Sequence, residues 1–199
     1  MIRSSLTIGG FHRRQRGVFA VEFALVAAVI GLFLVFISDV VIKQNIQGNL
    51  QRLSYSGVNI IKERTQLYNV DMDNDQFNEL RNILISSITR TMGGFEDEMF
   101  GIYLEQVVLL DKEACKENTI ADCYNVGYSH GKKGSKIKDR CQPATPLKDM
   151  HGLYFTTNLN TPPTFYQVTL CYQTADWFGN YVGVDYNGLV RVSSVMMGR

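Results

Sequence analysis

Apolar residues run almost without interruption from Val18 to Ile42 and afterwards recur only periodically. The first stretch, VFAVEFALVAAVIGLFLVFISDVVI, holds 16 successive uncharged residues between Glu22 and Asp39. As a helix it would be about 37 Å long, at roughly 1.5 Å per residue, enough to cross a hydrocarbon core of about 30 Å. The pattern therefore predicts a membrane helix over residues 18–42. Beyond it, Ile42, Ile46, Leu50, Leu53, Ile60 and Ile61 return at roughly helical spacing among Gln, Asn, Arg and Lys. This predicts that the same helix continues as an amphipathic one to about Tyr68. Gly48 and Gly57 each weaken that continuation by about 1 kcal/mol relative to Ala; they serve either bending and close helix contact or simply lie on the face packed beneath a sheet. A second helix is expected from Gln76 to about Met92, with Phe77, Leu80, Ile83, Leu84 and Ile88 on one face and a stop at Gly93-Gly94.

After Gly94 the period changes to that of strands. FGIYLEQVVLL, Phe100 to Leu110, reads as one, and Phe165 to Gln173 places Tyr166, Val168, Leu170 and Tyr172 on one face. Asn187-Gly188 joins two β-like runs, Tyr181 to Tyr186 and Leu189 to Val195, a strong hairpin signal. All four prolines fall between residues 143 and 163, so that part is expected to be loop and edge. The fold class is α+β: a long N-terminal helix, a second helix and an antiparallel sheet.

Charge divides the chain further. The net +1 combines four arginines and no acid over residues 1–17, Glu22 and Asp39 over 18–42, and 16 basic against 17 acidic side chains over 43–199. Arg3, Arg13, Arg14 and Arg16 precede the apolar run, whereas Lys43 alone follows closely, so the positive-inside bias predicts a cytoplasmic N-terminus and residues 43–199 outside the cytoplasm. All four cysteines, Cys115, Cys123, Cys141 and Cys171, lie in that exported part. An even count confined there predicts disulfides in an oxidising compartment. Three pairings are possible; Cys115 with Cys123 as a local staple and Cys141 with Cys171 as a tie between the Pro-containing loop and a strand are the favoured ones. Cys171 falls on the polar face of its strand, so the loop would have to cross that face.

Glu22 is the residue that a plain anchor leaves unexplained, since a carboxylate within a membrane helix is costly. Upstream of it stand Arg13, Arg14 and Arg16, then Gly17 and four apolar residues. This Arg-Gly-Val-Phe-Ala-Val-Glu arrangement resembles the processing signal of the type IV pilin superfamily, in which a prepilin peptidase cuts after the Gly at the cytoplasmic face. RGVFAVEFALV most resembles the TadE/TadF pseudopilins of tight adherence (Flp) pili, and the length and Cys-bearing distal region lean towards TadF. Members often carry Glu-Tyr where this chain has Glu22-Phe23. The resemblance implies a leader over 1–17, a processing site at Gly17 and Val18, and recognition through Glu22 and Phe23. It also implies a membrane helix over 18–42, its amphipathic continuation over 43–70 and an exported domain over 71–199. Losing four arginines would take the formal charge from +1 to −3.

The implied partners are the prepilin peptidase, a partner pseudopilin, Flp pilin subunits, the inner-membrane assembly machinery and the lipid bilayer. The implied role is assembly of pili for surface attachment and biofilm formation, from a periplasmic domain on an inner-membrane anchor. Once the amine of Val18 is freed, it could pair with Glu22 of a neighbouring subunit.

Candidate chemistry adds little to this picture. Asp71, Asp73 and Asp75 alternate like the start of an EF-hand loop, but Gln76 and Asn82 stand where that signature needs Gly and Glu. They read better as the start of a helix, with Asp73 or Asn74 as N-cap. The cysteine spacing lacks the short pairs of a zinc site, so no metal and no cofactor is expected. His12, His130 and His151 fall in the leader or in loops, outside any catalytic motif, and no enzyme activity is expected. Lys132, Lys133, Lys136, Lys138 and Arg140 form a basic loop without interleaved aromatics. Nucleic acid is therefore not an expected partner. Two alternatives stay open: an uncleaved membrane-anchored extracytoplasmic binding or sensor module, and a DNA-binding minor pilin that uses this loop.

Overall fold

The computed structural model describes residues 15–68, 74–108, 124–131, 137, 140–150, 164–174 and 188–198. Helix α1 runs unbroken from Gln15 to Tyr68, about 80 Å at the usual rise. Its two halves obey different rules. Residues 17–38 are exposed on every side, including Phe19, Phe23, Leu25, Phe33 and Leu34. No part of the described chain shields this apolar surface, and the helix is long and apolar enough to cross a membrane. From Ile46 onward burial follows one stripe: Ile46, Leu50, Leu53, Ser54, Val58 and Ile61, the spacing of a helix laid on a core.

Helix α2, Asn74–Thr91, buries Phe77, Leu80, Leu84 and Ile88. Ile83, expected on the same face, is 40% exposed, because it sits at the margin of the stripe. In the same way Ile42 is exposed, lying before the point where the stripe begins. The chain leaves α2 through Met92, whose N–H donates to the Ile88 carbonyl, and Gly94, whose φ of 77° is the left-handed conformation that a side chain would resist.

Four strands form one antiparallel sheet in the order β2-β1-β3-β4: β1 Phe100–Val108, β2 Tyr124–Gly131, β3 Thr164–Gln173 and β4 Leu189–Met197. β1 and β3 match the sequence expectation, although Leu109 and Leu110 lie outside the described residues. β2 was not anticipated. Its YNVGYSHG has two Gly and little apolar alternation, and its place comes from pairing with β1, Gly101 opposite Gly131 through Val108 opposite Tyr124. Of the expected hairpin, the second run is β4, which pairs with β3; Tyr181 to Tyr186 lies outside the described residues.

Alternation along β1 and β3 divides the sheet into two faces. Phe100, Ile102, Leu104, Tyr166, Val168, Leu170 and Tyr172 join the α1 and α2 stripes in the main core. Gly57 sits where these layers meet, since a Cβ there would lie 3.2 Å from Leu84 Cδ2 and 3.6 Å from Val168 Cγ1. A Cβ on Gly48 would meet nothing, so the two glycines do different jobs. Ser54, within the apolar stripe, donates to the Val168 carbonyl at 2.7 Å and so fixes α1 to the sheet without an unsatisfied hydroxyl.

The second face is also covered, which explains why β3 is buried along nearly its whole length. A strap at residues 140–150 lies over β1 and β3. Leu147 packs with Val107 and Phe165, and Ile137 and Cys141 pack with Cys171.

Candidate functional site

Two regions carry the residues singled out in the sequence: the N-terminal half of α1, and the disulfide-tied strap. On α1, Gly17, Val18, Glu22 and Phe23 lie in continuous helix. Glu22 follows Gly17 by five residues, about 7.5 Å along the axis. Gly17 faces open space, Val18 and Phe23 are 60% and 67% exposed, and Glu22 is exposed too. Glu22 has no hydrogen-bond or ion-pair partner among the described residues. Arg13 and Arg14 lie outside the described residues, and Arg16 is placed in the helix by its backbone alone.

At the other end of the apolar stretch the polar groups are satisfied internally. Ser38 Oγ donates to the Leu34 carbonyl at 2.8 Å, and Lys43 Nζ meets Asp39 Oδ2 at 2.7 Å one turn away. Asp39 is buried. Sequence reasoning treated it only as a charge at the limit of the apolar run; the i,i+4 spacing to Lys43 was the available signal.

Cys141 and Cys171 are disulfide-bonded, with Cα atoms 5.6 Å apart, and both are fully buried. The expected crossing of the polar face by the Pro-containing loop is what is observed. Cys115 and Cys123 lie outside the described residues. Hydrogen bonds among the described residues also hold the strap: Arg191 donates to the Arg140 carbonyl at 3.0 Å, Gln167 Nε2 to the Thr145 carbonyl at 3.3 Å, and the Leu147 N–H to Glu105 Oε2 at 3.0 Å. Gly101 makes room for it. A Cβ there would fall 2.9 Å from both Cys141 Cβ and Ile137 Cγ2.

Glu105 is a buried carboxylate in a strand. The backbone donor from the strap partly replaces the water that it gives up. Nearby, Tyr103 has its phenol pushed up from its ordinary value, first by burial and then by the Glu105 charge. Neither Glu105 nor Gly101 was flagged from the sequence, because each acquires its role from a segment some 40 residues away.

The remaining candidates are not drawn together. Asp75 lies in the first turn of α2, which begins at Asn74, while Asp71 and Asp73 lie outside the described residues. Among the described residues no three His, Cys, Asp or Glu side chains cluster as metal ligands. His130 is in β2 opposite Ile102; His12 and His151 lie outside the described residues, as do Lys132, Lys133, Lys136 and Lys138 of the basic loop. Arg140, the described member, uses its carbonyl to hold the strap.

The chain matches over residues 10–199 the family model TadF, described as "Putative tight adherence pilin protein F". No curated protein and no solved structure matches it. The match takes in the Arg-Gly-apolar-Glu segment, α1, the sheet and the strap, and on that coverage the chain belongs to the TadF family of tight adherence pilin proteins.

Proposed function

We propose that the protein is a minor, pilin-like subunit of a tight adherence pilus, cut after Gly17 by a prepilin peptidase and held in the inner membrane by α1 until it takes part in assembly. The observation that carries this reading is the apolar half of α1, exposed on every side, with Glu22, which has no partner among the described residues, near its beginning. A soluble protein would leave no such surface in water, and a simple anchor has no use for the acid.

The leader arginines hold the site at the cytoplasmic surface, and Gly17 suits the cut in two ways. It places no side chain against the peptidase, and it lowers the local cost of unwinding the helix into an extended substrate, by about 1 kcal/mol relative to Ala. Cleavage frees the Val18 amine. When helices bundle, that ammonium meets the Glu22 carboxylate of a neighbour, and two groups that are each costly in lipid form a pair. The exported domain, locked by its disulfide, stands on the periplasmic side and contributes to surface attachment and biofilm formation through the pilus.

N-terminal sequencing of the membrane-bound protein tests the reading. A start at Val18 is the expected result. An intact Met1 would instead favour a permanently anchored binding or sensor module.

A further inference from the structure

The sequence places the outer limit of the membrane segment at Ile42, yet the apolar run is about 7 Å longer than a hydrocarbon core of about 30 Å requires. Several registers would therefore fit by length alone. Burial separates them. From Val18 to Ile37 the large apolar side chains are between 38% and 71% exposed, as on a bare helix, whereas Asp39 is 8% exposed. The bare stretch before it leaves its side chains far more open than that, so covering of the rod begins at this level, and it begins with a charged pair whose ammonium lies 2.7 Å from the carboxylate. Charges are costly in hydrocarbon.

We infer that the lipid hydrocarbon ends at Ser38, one turn before the limit read from hydropathy, and that the exported domain rests on the outer headgroup layer with no stalk between. The internal bonds at this level agree with that boundary. The Ser38 hydroxyl is satisfied by Leu34, and Asp39 and Lys43 neutralise one another, so this end can meet the hydrocarbon edge without an unsatisfied group. Val41 and Ile42, although apolar and exposed, then lie among headgroups beside the domain.

The inner end moves accordingly. Glu22 is 16 residues below Ser38, about 24 Å, and so lies about 6 Å inside the inner edge of a 30 Å core. With the limit at Ile42 it would lie at that edge, where water could solvate it. The Val18 nitrogen, 20 residues below Ser38, falls about 30 Å down, at the inner edge itself. This register rests on the membrane reading above. It explains why the carboxylate needs a cation from another chain, because one turn of hydrocarbon separates it from the cytoplasmic surface.

Single cysteines introduced as Leu34→Cys, Val41→Cys, Ile42→Cys and Gln47→Cys in the full chain, in intact spheroplasts, test this with a membrane-impermeant maleimide. The unsubstituted protein serves as background, and labelling after detergent solubilisation confirms that each thiol is reactive. The expected result is labelling at positions 41, 42 and 47 at least tenfold faster than at 34. Protection of 41 and 42 with labelling at 47 would overturn the register while leaving the membrane helix standing. Equal labelling at all four positions would overturn the membrane reading itself.

Discussion

Single residues set the clearances in the exported domain. At Gly101 the strap passes so close that a methyl group would fall 2.9 Å from two side-chain carbons, one of them held by a disulfide. Gly101→Ala is therefore expected to lower stability by about 1–3 kcal/mol through overpacking. Gly48→Ala, which meets open space, should be neutral or stabilising by up to about 1 kcal/mol. Chemical denaturation of the detergent-solubilised protein checks both, and equal midpoints for the two variants would contradict the assigned clearance. Tyr103 supplies a pH signature. Its phenol holds its proton more tightly in the folded state than the ordinary 10.0 of an unfolded chain. Its stabilising contribution is thus complete below about pH 10 and is lost as pH rises through the folded value, because the unfolded chain releases its proton first. Relative to Tyr103→Phe, the native protein should lose stability above that pH. Parallel pH–stability curves for the two would count against the coupling.

At the scale of elements, the strap and α1 are built on opposite principles. α1 is regular throughout and needs only its own backbone bonds, while the strap has little regular structure and depends on what it touches. The disulfide is its strongest tie. Removing it with Cys141→Ser and Cys171→Ser together is expected to cost about 2–4 kcal/mol and to open the 140–150 segment to protease ahead of α1 and the sheet, as mapped by limited proteolysis. If cleavage in that segment were unchanged, the hydrogen bonds donated by Arg191 and Gln167 and the one accepted by Glu105 would be sufficient. The helices and the two central strands were legible in the sequence because periodicity is a local property: Phe77, Leu80, Leu84 and Ile88 announce a face without reference to any partner. β2 was not legible for the converse reason. Its glycines and polar residues carry no face of their own, and β1 imposes its extended form through the ladder.

At the scale of the whole molecule, the protein is a helical rod continuous with a folded head, and the apolar half of the rod is exposed on every side and long enough to cross a membrane. Assembly should then depend on the one charge within that half. Glu22→Ala is expected to leave the exported domain folded and disulfide-bonded but to reduce surface pili at least tenfold, counted by immunolabelling of cells. Normal pilus numbers would show that the acid acts in neither processing nor packing. The motif that carries this expectation was plain in the sequence, because Gly17, Glu22 and the preceding arginines are separated by a few residues only. By itself, the sequence determined the long helix, the polarity of its two halves, the α+β class and the Arg-Gly-apolar-Glu arrangement, all of which follow from order and spacing along one segment. Only the tertiary structure decided which pairs of distant residues meet: Cys141 with Cys171 out of three possible pairings, Gly101 beneath the strap, Ser54 on the β3 carbonyl, and Asp39 as the first covered residue of the rod. Those outcomes depend on register and burial, which arise only when separate segments pack and compete for the same space.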